Sequence, residues 1–363
     1  MRLFQNGGVY RAYLPRLAML SQDCVTFETR VRSFLDDRFN ACHFLQPVLT
    51  HDPEAFFTNG DDLILQGLWA RENGLPANST LGAILLAQIE EHRTEVLYNL
   101  DPMRDAKDFD RKLPGCVKKK IAWRAAPSPG ASFGAYDAVV CNFPSILQSY
   151  RERGWRAEYF SPAHDPEMDV YAANTERPID VLFVGGYSRH HRRRAVIMEA
   201  VAALRGRFNV VFRLDRSRLT RLAESRMGYL LPLGSHRRPS NIRAVSQDPV
   251  FGRELYKVIS RAKIVLNGAV DMASFDRGNM RCFEALGCGA LMLSDEGKYP
   301  DGMEHQSTML HYSSASDAVA KIEDALSNTE LSRLTASRGS QLVRSHYSKS
   351  RQWSDFIQLV ERL

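Results

Sequence analysis

Arg281 and Glu284 stand three residues apart in the segment 276–295, DRGNMRCFEALGCGALMLSD. That spacing places two side chains on one face of a helix. A guanidinium and a carboxylate so placed can share the work of holding a nucleoside diphosphate. An arginine so placed can grip a diphosphate, and a glutamate can accept hydrogen bonds from two ribose hydroxyls. Gly278-Asn279 reads as the cap of this helix, leaving its first N–H groups and positive dipole end for an anion. Arg277, four residues before Arg281, reads as a second cation on the same helix. Gly287 and Gly289 then permit the turn into the apolar run ALML. The alternative for Arg281 and Glu284 is a surface ion pair, which contributes roughly 0.2–0.5 kcal/mol.

The elements that must position this segment follow from hydrophobic periodicity. In the first half, apolar runs at 2–5, 55–58, 96–100, 120–123, 138–141 and 158–160 read as strands, and the patterns at 61–73, 80–92 and 144–153 read as helices. Asn6-Gly7-Gly8 is a tight turn between the first strand and an apolar-faced helix. Strands separated by helices predict a parallel sheet covered on both faces, an α/β doubly wound fold. A second alternation begins at residue 179, with strands at 179–184, 209–214, 263–267 and 290–294 and helices at 192–204, 219–225, 252–261 and 279–286. Between the two, SPAHDPEMDVYAANTERP carries three prolines and little periodicity, and reads as a linker. The expected organisation is an amino-terminal domain over 1–165, a linker over 166–178, a carboxyl-terminal domain over 179–345 and a final helix over 346–363. In that helix Trp353, Phe356, Ile357 and Val360 form one apolar stripe, which requires a surface to dock on.

A length of 363 residues, with 44% hydrophobic and 25% charged residues, fits a two-domain globular protein and excludes collagen-like, disulfide-scaffold and disordered classes. No apolar run is long enough to cross a bilayer and no signal peptide is evident, so a cytoplasmic location is expected. The six cysteines include no CxxC pair, which indicates neither a zinc site nor a disulfide framework. The net charge of +6 divides unevenly: residues 1–177 hold 20 Lys+Arg against 23 Asp+Glu, or −3, and residues 178–363 hold 28 against 19, or +9. The basic excess therefore belongs to the half that carries the anion-binding segment.

RCFEALGCGALMLSDE resembles the signature helix of glycosyltransferases with the two-domain GT-B fold, in the branch similar to spore-maturation CgeB-like enzymes. DVLFVGGYSRHHRRR is similar to the strand and glycine turn that open the nucleotide-sugar domain, and DPVFGRELYKVISRAKIVLNGA to the helix and strand before the signature. QGLWARENG and VLYNLDP are similar to segments of the amino-terminal domain. The resemblance covers most of the chain, closely over 179–296 and less closely over 1–165. It implies two doubly wound Rossmann-like domains facing across a cleft, donor on the second and acceptor on the first, with the last helix crossing back to the first domain. It also implies transfer of a sugar from a nucleotide-diphosphate sugar (UDP, GDP or dTDP type) to a glycan, lipid-linked or protein acceptor, without metal or other cofactor.

Residue by residue, the Glu-x7-Glu pattern of family 4 glycosyltransferases maps its second Glu onto Glu284, the ribose ligand. Its first falls on Asp276, which keeps a carboxylate near the transferred sugar but is one methylene shorter. Gly185 and Gly186 let backbone approach the donor phosphates, Arg189 adds positive charge, and Asn279 and Arg281 complete the donor site. On the acceptor side the expected residues are Gly7, Gly8 and Asp61. Asp101, at a strand end, is the expected catalytic partner of Asp276, where open α/β sheets place ligand contacts. Asp61, His43 and His51 are the other candidates for a base, should the outcome be inverting; the Asp-x7-Glu spacing favours retention, which needs none. Asp61 has a structural alternative as the helix cap after Asn59-Gly60, and Asp108-Phe109-Asp110 reads as a solvated loop. The basic clusters 189–194 and 236–238 suit anionic headgroups at a membrane surface, so peripheral contact with the inner face of the membrane is one expected partnership. No RNA- or DNA-binding module is recognisable, and nucleic acid is not an expected partner. A non-catalytic nucleotide- or glycan-binding relative, or an anionic-surface binder, is the alternative function.

Overall fold

The structure is a computed structural model, and it describes residues 1–103, 109–188, 191–268 and 273–363. The chain divides into two compact units, Met1–Ala163 with Tyr347–Leu363, and His164–His346.

In the first unit six strands, β1 (Leu3–Gly7), β2 (Ala55–Asn59), β3 (Val96–Asn99), β4 (Lys119–Trp123), β5 (Ala138–Cys141) and β6 (Ala157–Tyr159), form one sheet in the order β2-β1-β3-β4-β5-β6. Every pairing is parallel. Burial on both faces explains the near-continuous apolar strands. The order places β1 beside β3 with connections leaving in opposite directions, which opens a crevice at their carboxyl ends. The helix Leu63–Glu72 starts at Asp62, whose carboxylate accepts from the Ile64 and Leu65 amides at 3.0 and 3.3 Å. Asp62, not Asp61, is therefore the cap. A helix without a sequence-based expectation, Phe27–Asp36, begins with a reciprocal Thr26–Thr29 capping box.

The last helix, Lys349–Arg362, belongs to this unit, as expected of a returning helix. Phe356 packs on Tyr98 and Phe160 with ring centroids 5.1 and 5.8 Å apart. The buried Lys349 ammonium donates to the carbonyls of Ala41, Cys42 and Phe44 and to Gln352 Oε1. The apolar stripe alone gave no hint of that polar anchor.

The second unit has β7 (Ile179–Gly186), β8 (Val210–Asp215), β9 (Ser246–Gln247), β10 (Ala262–Leu266), β11 (Leu291–Asp295) and β12 (Leu310–Tyr312), ordered β12-β11-β10-β7-β8-β9 and parallel throughout. In chain order this is 3-2-1-4-5-6, the dinucleotide-binding order, with its crevice between β7 and β10. β9 and β12, at the two edges, have only two and three residues and left no periodic signal. Residues 166–178, expected as a linker, instead carry the helix Met168–Ala172. Met168 is fully buried, and Arg177 donates to the carbonyls of Ala262 and Cys288, so the segment is part of the second unit. Helices Ala315–Ser327 and Thr329–His346 complete the unit. All six cysteines are free thiols, four of them buried.

Candidate functional site

At the carboxyl end of β7, Gly185 is exposed and a Cβ on Gly186 would meet nothing within 4 Å, so backbone is open to a ligand there. The Gly186 carbonyl accepts from Arg194 Nη2 at 3.0 Å. β10 runs into Asn267, which donates to Ser294 Oγ at 3.1 Å and whose carbonyl accepts from the Tyr312 hydroxyl at 2.7 Å. A Cβ on Gly268 would lie 3.1 Å from Tyr312 Oη and 3.4 Å from Arg194 Cγ. Glycine at 268 thus lets the end of β10 pass close to the first helix after β7.

The helix Met280–Gly287 begins at Asn279, which is extended (φ −61°, ψ 165°) and makes no side-chain bond to the helix amides. Its amide reaches Asn267 Oδ1 instead, at 3.3 Å. Among the described residues no side chain is seen to cap the first turn, the arrangement that suits an anion. One turn in, Arg281 Nη1 donates to Glu284 Oε2 at 2.6 Å; the two side chains are only 18% and 7% exposed. This is a half-sheltered pair, not the solvated surface contact of the alternative reading. Arg281 Nε is buried with no hydrogen-bond partner among the described residues. A buried unpaired donor is costly, and a bound anion would satisfy it.

Arg277 departs from expectation. It precedes the helix, and its guanidinium is consumed by Asp295 at the end of β11, with Nε and Nη2 at 2.8 and 2.7 Å from Oδ2. Its Nη1 donates to the carbonyls of Ser274 and Asp276. A Cβ on Gly297 would lie 2.3 Å from Arg277 Cγ, so glycine is needed beside it. The latch fixes the loop that carries Asp276, itself buried and paired in a parallel bridge with Lys298. Gly278, at φ 122°, then turns the chain into the helix in a conformation that favours glycine. Cys282, on the buried face of the same helix, is no nucleophile: burial, with the nearby Asp295 charge, pushes its thiol up to about 12. Arg189 lies outside the described residues. Among the described residues no His, Cys, Asp and Glu cluster is placed to hold a metal ion.

In the first unit the crevice gathers all four expected residues. Asp61 accepts from the Val9 amide with both oxygens at 3.1 Å, closing over the glycine turn. A Cβ on Gly8 would lie 2.4 Å from Asp101 Oδ2, so Gly8 and Asp101 touch. Beneath them lie Asn6, the last residue but one of β1, and Asn59 and Asn99, the last residues of β2 and β3. Asn6 Nδ2 donates to Asn99 Oδ1 at 3.0 Å, Asn6 Oδ1 accepts from the Gly60 amide at 3.0 Å, and Asn99 Oδ1 accepts from the Asp101 amide at 3.0 Å. Asn59 Nδ2 is buried without a partner among the described residues and lies 3.3 Å from where a Gly7 Cβ would stand. No site role for the three asparagines follows from the expectations above, although an Asn at or beside the end of each of three apolar strands is a usable signal. Arg194 and the Arg277–Asp295 latch had none, because their partners are a backbone carbonyl and a residue 18 positions away.

The two histidine candidates differ in their surroundings. His43 packs on Trp123 with centroids 4.5 Å apart, and burial together with the Lys349 charge holds its pKa at about 3, far from that of a general base near neutrality. His51 is exposed, with φ 54°.

Residues 188–358 match the family model described as glycosyl transferase-like. No curated protein matches the chain. Among solved structures, the chain is similar to Anabaena HepE in complex with UDP and glucose (TM-score 0.59, 11% identity, all of both chains covered). It is also similar to a glycosyltransferase from Rickettsia africae (TM-score 0.56, 12% identity, 99% of this chain and 97% of that one). A third similar structure is sucrose-phosphate synthase of Thermosynechococcus elongatus (TM-score 0.53, 11% identity, 99% and 98%). At such identities the likeness speaks to fold, and the fold is GT-B.

Proposed function

We propose that this protein is a glycosyltransferase that moves a sugar from a nucleotide-diphosphate sugar to a glycan, lipid-linked or protein acceptor. The observation that carries the reading is the sheltered Arg281–Glu284 pair at an uncapped helix start, at the carboxyl end of a dinucleotide-type sheet. Glu284 holds the donor ribose, and Arg281, with the first helix amides and the open backbone at Gly185–Gly186, holds the diphosphate. In the transfer the bond from the anomeric carbon to the diphosphate oxygen breaks and a bond to the acceptor hydroxyl oxygen forms. The hydroxyl proton passes to the departing diphosphate in a retaining reaction, or to a carboxylate such as Asp101 and from it to solvent in an inverting one. Negative charge grows on the leaving group, where a guanidinium and a helix end stabilise it without a metal. Asp276, fixed by the Arg277–Asp295 latch, faces the transferred sugar. Gly7, Gly8, Asp61 and Asp101, with the unpaired Asn59 amide, receive the acceptor. HepE binds UDP and glucose, which makes a UDP-sugar the first donor to try. We place the protein in the cytoplasm with peripheral contact at the inner face of the membrane; no described helix is long and apolar enough to cross one.

Thermal shift with UDP, GDP and dTDP tests the donor site, since a nucleotide at about 100 times its Kd adds about 2.7 kcal/mol of stability. Stabilisation by one nucleotide, weakened by Glu284→Ala, together with sugar transfer in product assays, is expected. No stabilisation by any nucleotide and no transfer to any acceptor overturns the reading. Nucleotide binding indifferent to Glu284→Ala and without product points to the binding-only alternative.

A further inference from the structure

The connection from β8 to β9 buries an ion pair and sheltered arginine contacts while several of its large apolar side chains face outward. Residues 216–243 hold seven arginines and one glutamate. They form the helix Arg218–Ala223 and two short turns, Met227–Leu230 and Gly234–His236. Glu224 and Arg238 make a two-pronged ion pair, 2.7 Å at both prongs, with side chains 8% and 6% exposed. Arg237 donates to the carbonyls of Ala223 and Gly228, both at 3.0 Å, and its guanidinium lies 3.8 Å from the Tyr229 ring centre. Gly228 is pressed against the helix end so closely that a Cβ would fall 1.8 Å from the Leu222 carbonyl oxygen. These contacts give the connection a defined shape.

That shape holds apolar side chains in water. Leu219, Leu222, Tyr229 and Leu231 are exposed, and Met227 and Leu230 are 76% and 88% exposed. Around them Arg218, Arg221 and Arg226 are exposed too, and neither Arg218 nor Arg226 has an ion pair or hydrogen bond among the described residues. A contiguous exposed apolar surface marks an interaction site. Its chemistry selects the partner. A second copy docking by the same face would set arginine rim against arginine rim, an isologous contact with like charges opposed. An anionic bilayer complements both parts: the apolar side chains enter the boundary between headgroups and acyl chains, and the arginines meet lipid phosphates.

We propose that the β8–β9 connection is a membrane-docking surface that binds bilayers carrying anionic phospholipids. It gives the peripheral contact proposed above its location and lipid chemistry, and rests on that localisation and not on the transfer reaction. Co-sedimentation of the full chain with phosphatidylcholine vesicles, with and without phosphatidylglycerol, tests it. Binding is expected only to the phosphatidylglycerol vesicles, and to weaken with salt. The double variant Met227→Asp, Leu230→Asp, at two solvent-facing positions, lowers binding by at least about tenfold. Arg218→Ala and Arg226→Ala each lower it by about fivefold. All of these variants keep the parent's melting point without ligand, which shows that they fold, and any nucleotide-induced stabilisation seen in the parent stays unchanged in them, which separates this surface from the donor site. The proposal is overturned if the full chain ignores anionic vesicles, if the double aspartate variant binds them as the parent does, or if the parent self-associates in sedimentation velocity and the double variant is monomeric.

Discussion

Replacing Gly8 with alanine perturbs one contact. Gly8 does not require a left-handed backbone, so alanine carries no conformational penalty there. The new methyl carbon would stand 2.4 Å from Asp101 Oδ2 and 2.9 Å from its Cγ, where an ordinary contact is 3.4 Å or more, so the carboxylate must recede by about 1 Å. Overpacking of this kind costs about 1–3 kcal/mol. All four tryptophans, Trp69, Trp123, Trp155 and Trp353, lie in the first unit, so intrinsic fluorescence follows its unfolding and not that of the second. At about 2–4 °C per kcal/mol for a unit of this size, the fluorescence melting point should fall by roughly 2–12 °C. In Gly8→Ala, Asp101→Ala only the 3.2 Å approach to the residue-101 Cβ remains, and most of that loss should return as a coupling of about 1–3 kcal/mol. A displacement of about 1 Å at a reacting carboxylate costs up to about 100-fold in turnover, so kcat of Gly8→Ala should drop while nucleotide affinity holds. Additive melting effects would refute the contact. Coupled melting with unchanged kcat would remove Asp101 from the chemistry and leave the geometry standing.

Three further outcomes are expected. Glu284→Gln removes the charge that accepts from Arg281 and that we propose accepts from the donor ribose; at about 1.5–3 kcal/mol for hydrogen bonds to a charged group, nucleotide affinity by calorimetry should fall about 10- to 100-fold. Arg277→Ala strands the buried Asp295 carboxylate and should cost about 3–5 kcal/mol, measurable as a lower denaturant midpoint in far-ultraviolet dichroism of the full chain that tryptophan fluorescence of the first unit does not share. In the first unit, burial lowers His92 to about 4 and His43 to about 3, with Arg2 adding to the former and Lys349 to the latter. Both folded values lie below the unfolded value of about 6.5, so the unfolded chain takes up protons first as pH falls. The stability these neutral histidines contribute is complete above about pH 6.5 and is lost as pH drops toward 4 and then 3, by up to about 1.4 kcal/mol per pH unit for each. Urea midpoints followed by tryptophan fluorescence from pH 7 to pH 4.5 should show that slope, and His92→Gln should remove part of it.

Local pattern alone determined the doubly wound class, the division near residue 165 and the helix of Arg281 and Glu284. Each depends on residues adjacent in sequence: apolar runs of strand length, helical spacing, a glycine before a cap. The turn glycines Gly7 and Gly8 and the strand-end Asp101 were legible for the same reason, since parallel strands bring their carboxyl ends together whatever the detailed packing. Other features depended on partners far along the chain. Asp62 and not Asp61 caps its helix because Asp61 is drawn to the Val9 amide, 52 residues away. Arg277 is spent on Asp295, which leaves Arg281 as the described cation of the segment with an unsatisfied donor. The supposed linker folds because Arg177 and Met168 find carbonyls and apolar surface in the second unit. The basic stretch between β8 and β9 carried a charge signal in the sequence. Only tertiary structure decided that Arg237 and Arg238 turn inward while Met227 and Leu230 turn out, because hydrogen-bond geometry, unlike hydrophobic periodicity, is set by which backbone groups the fold leaves unpaired.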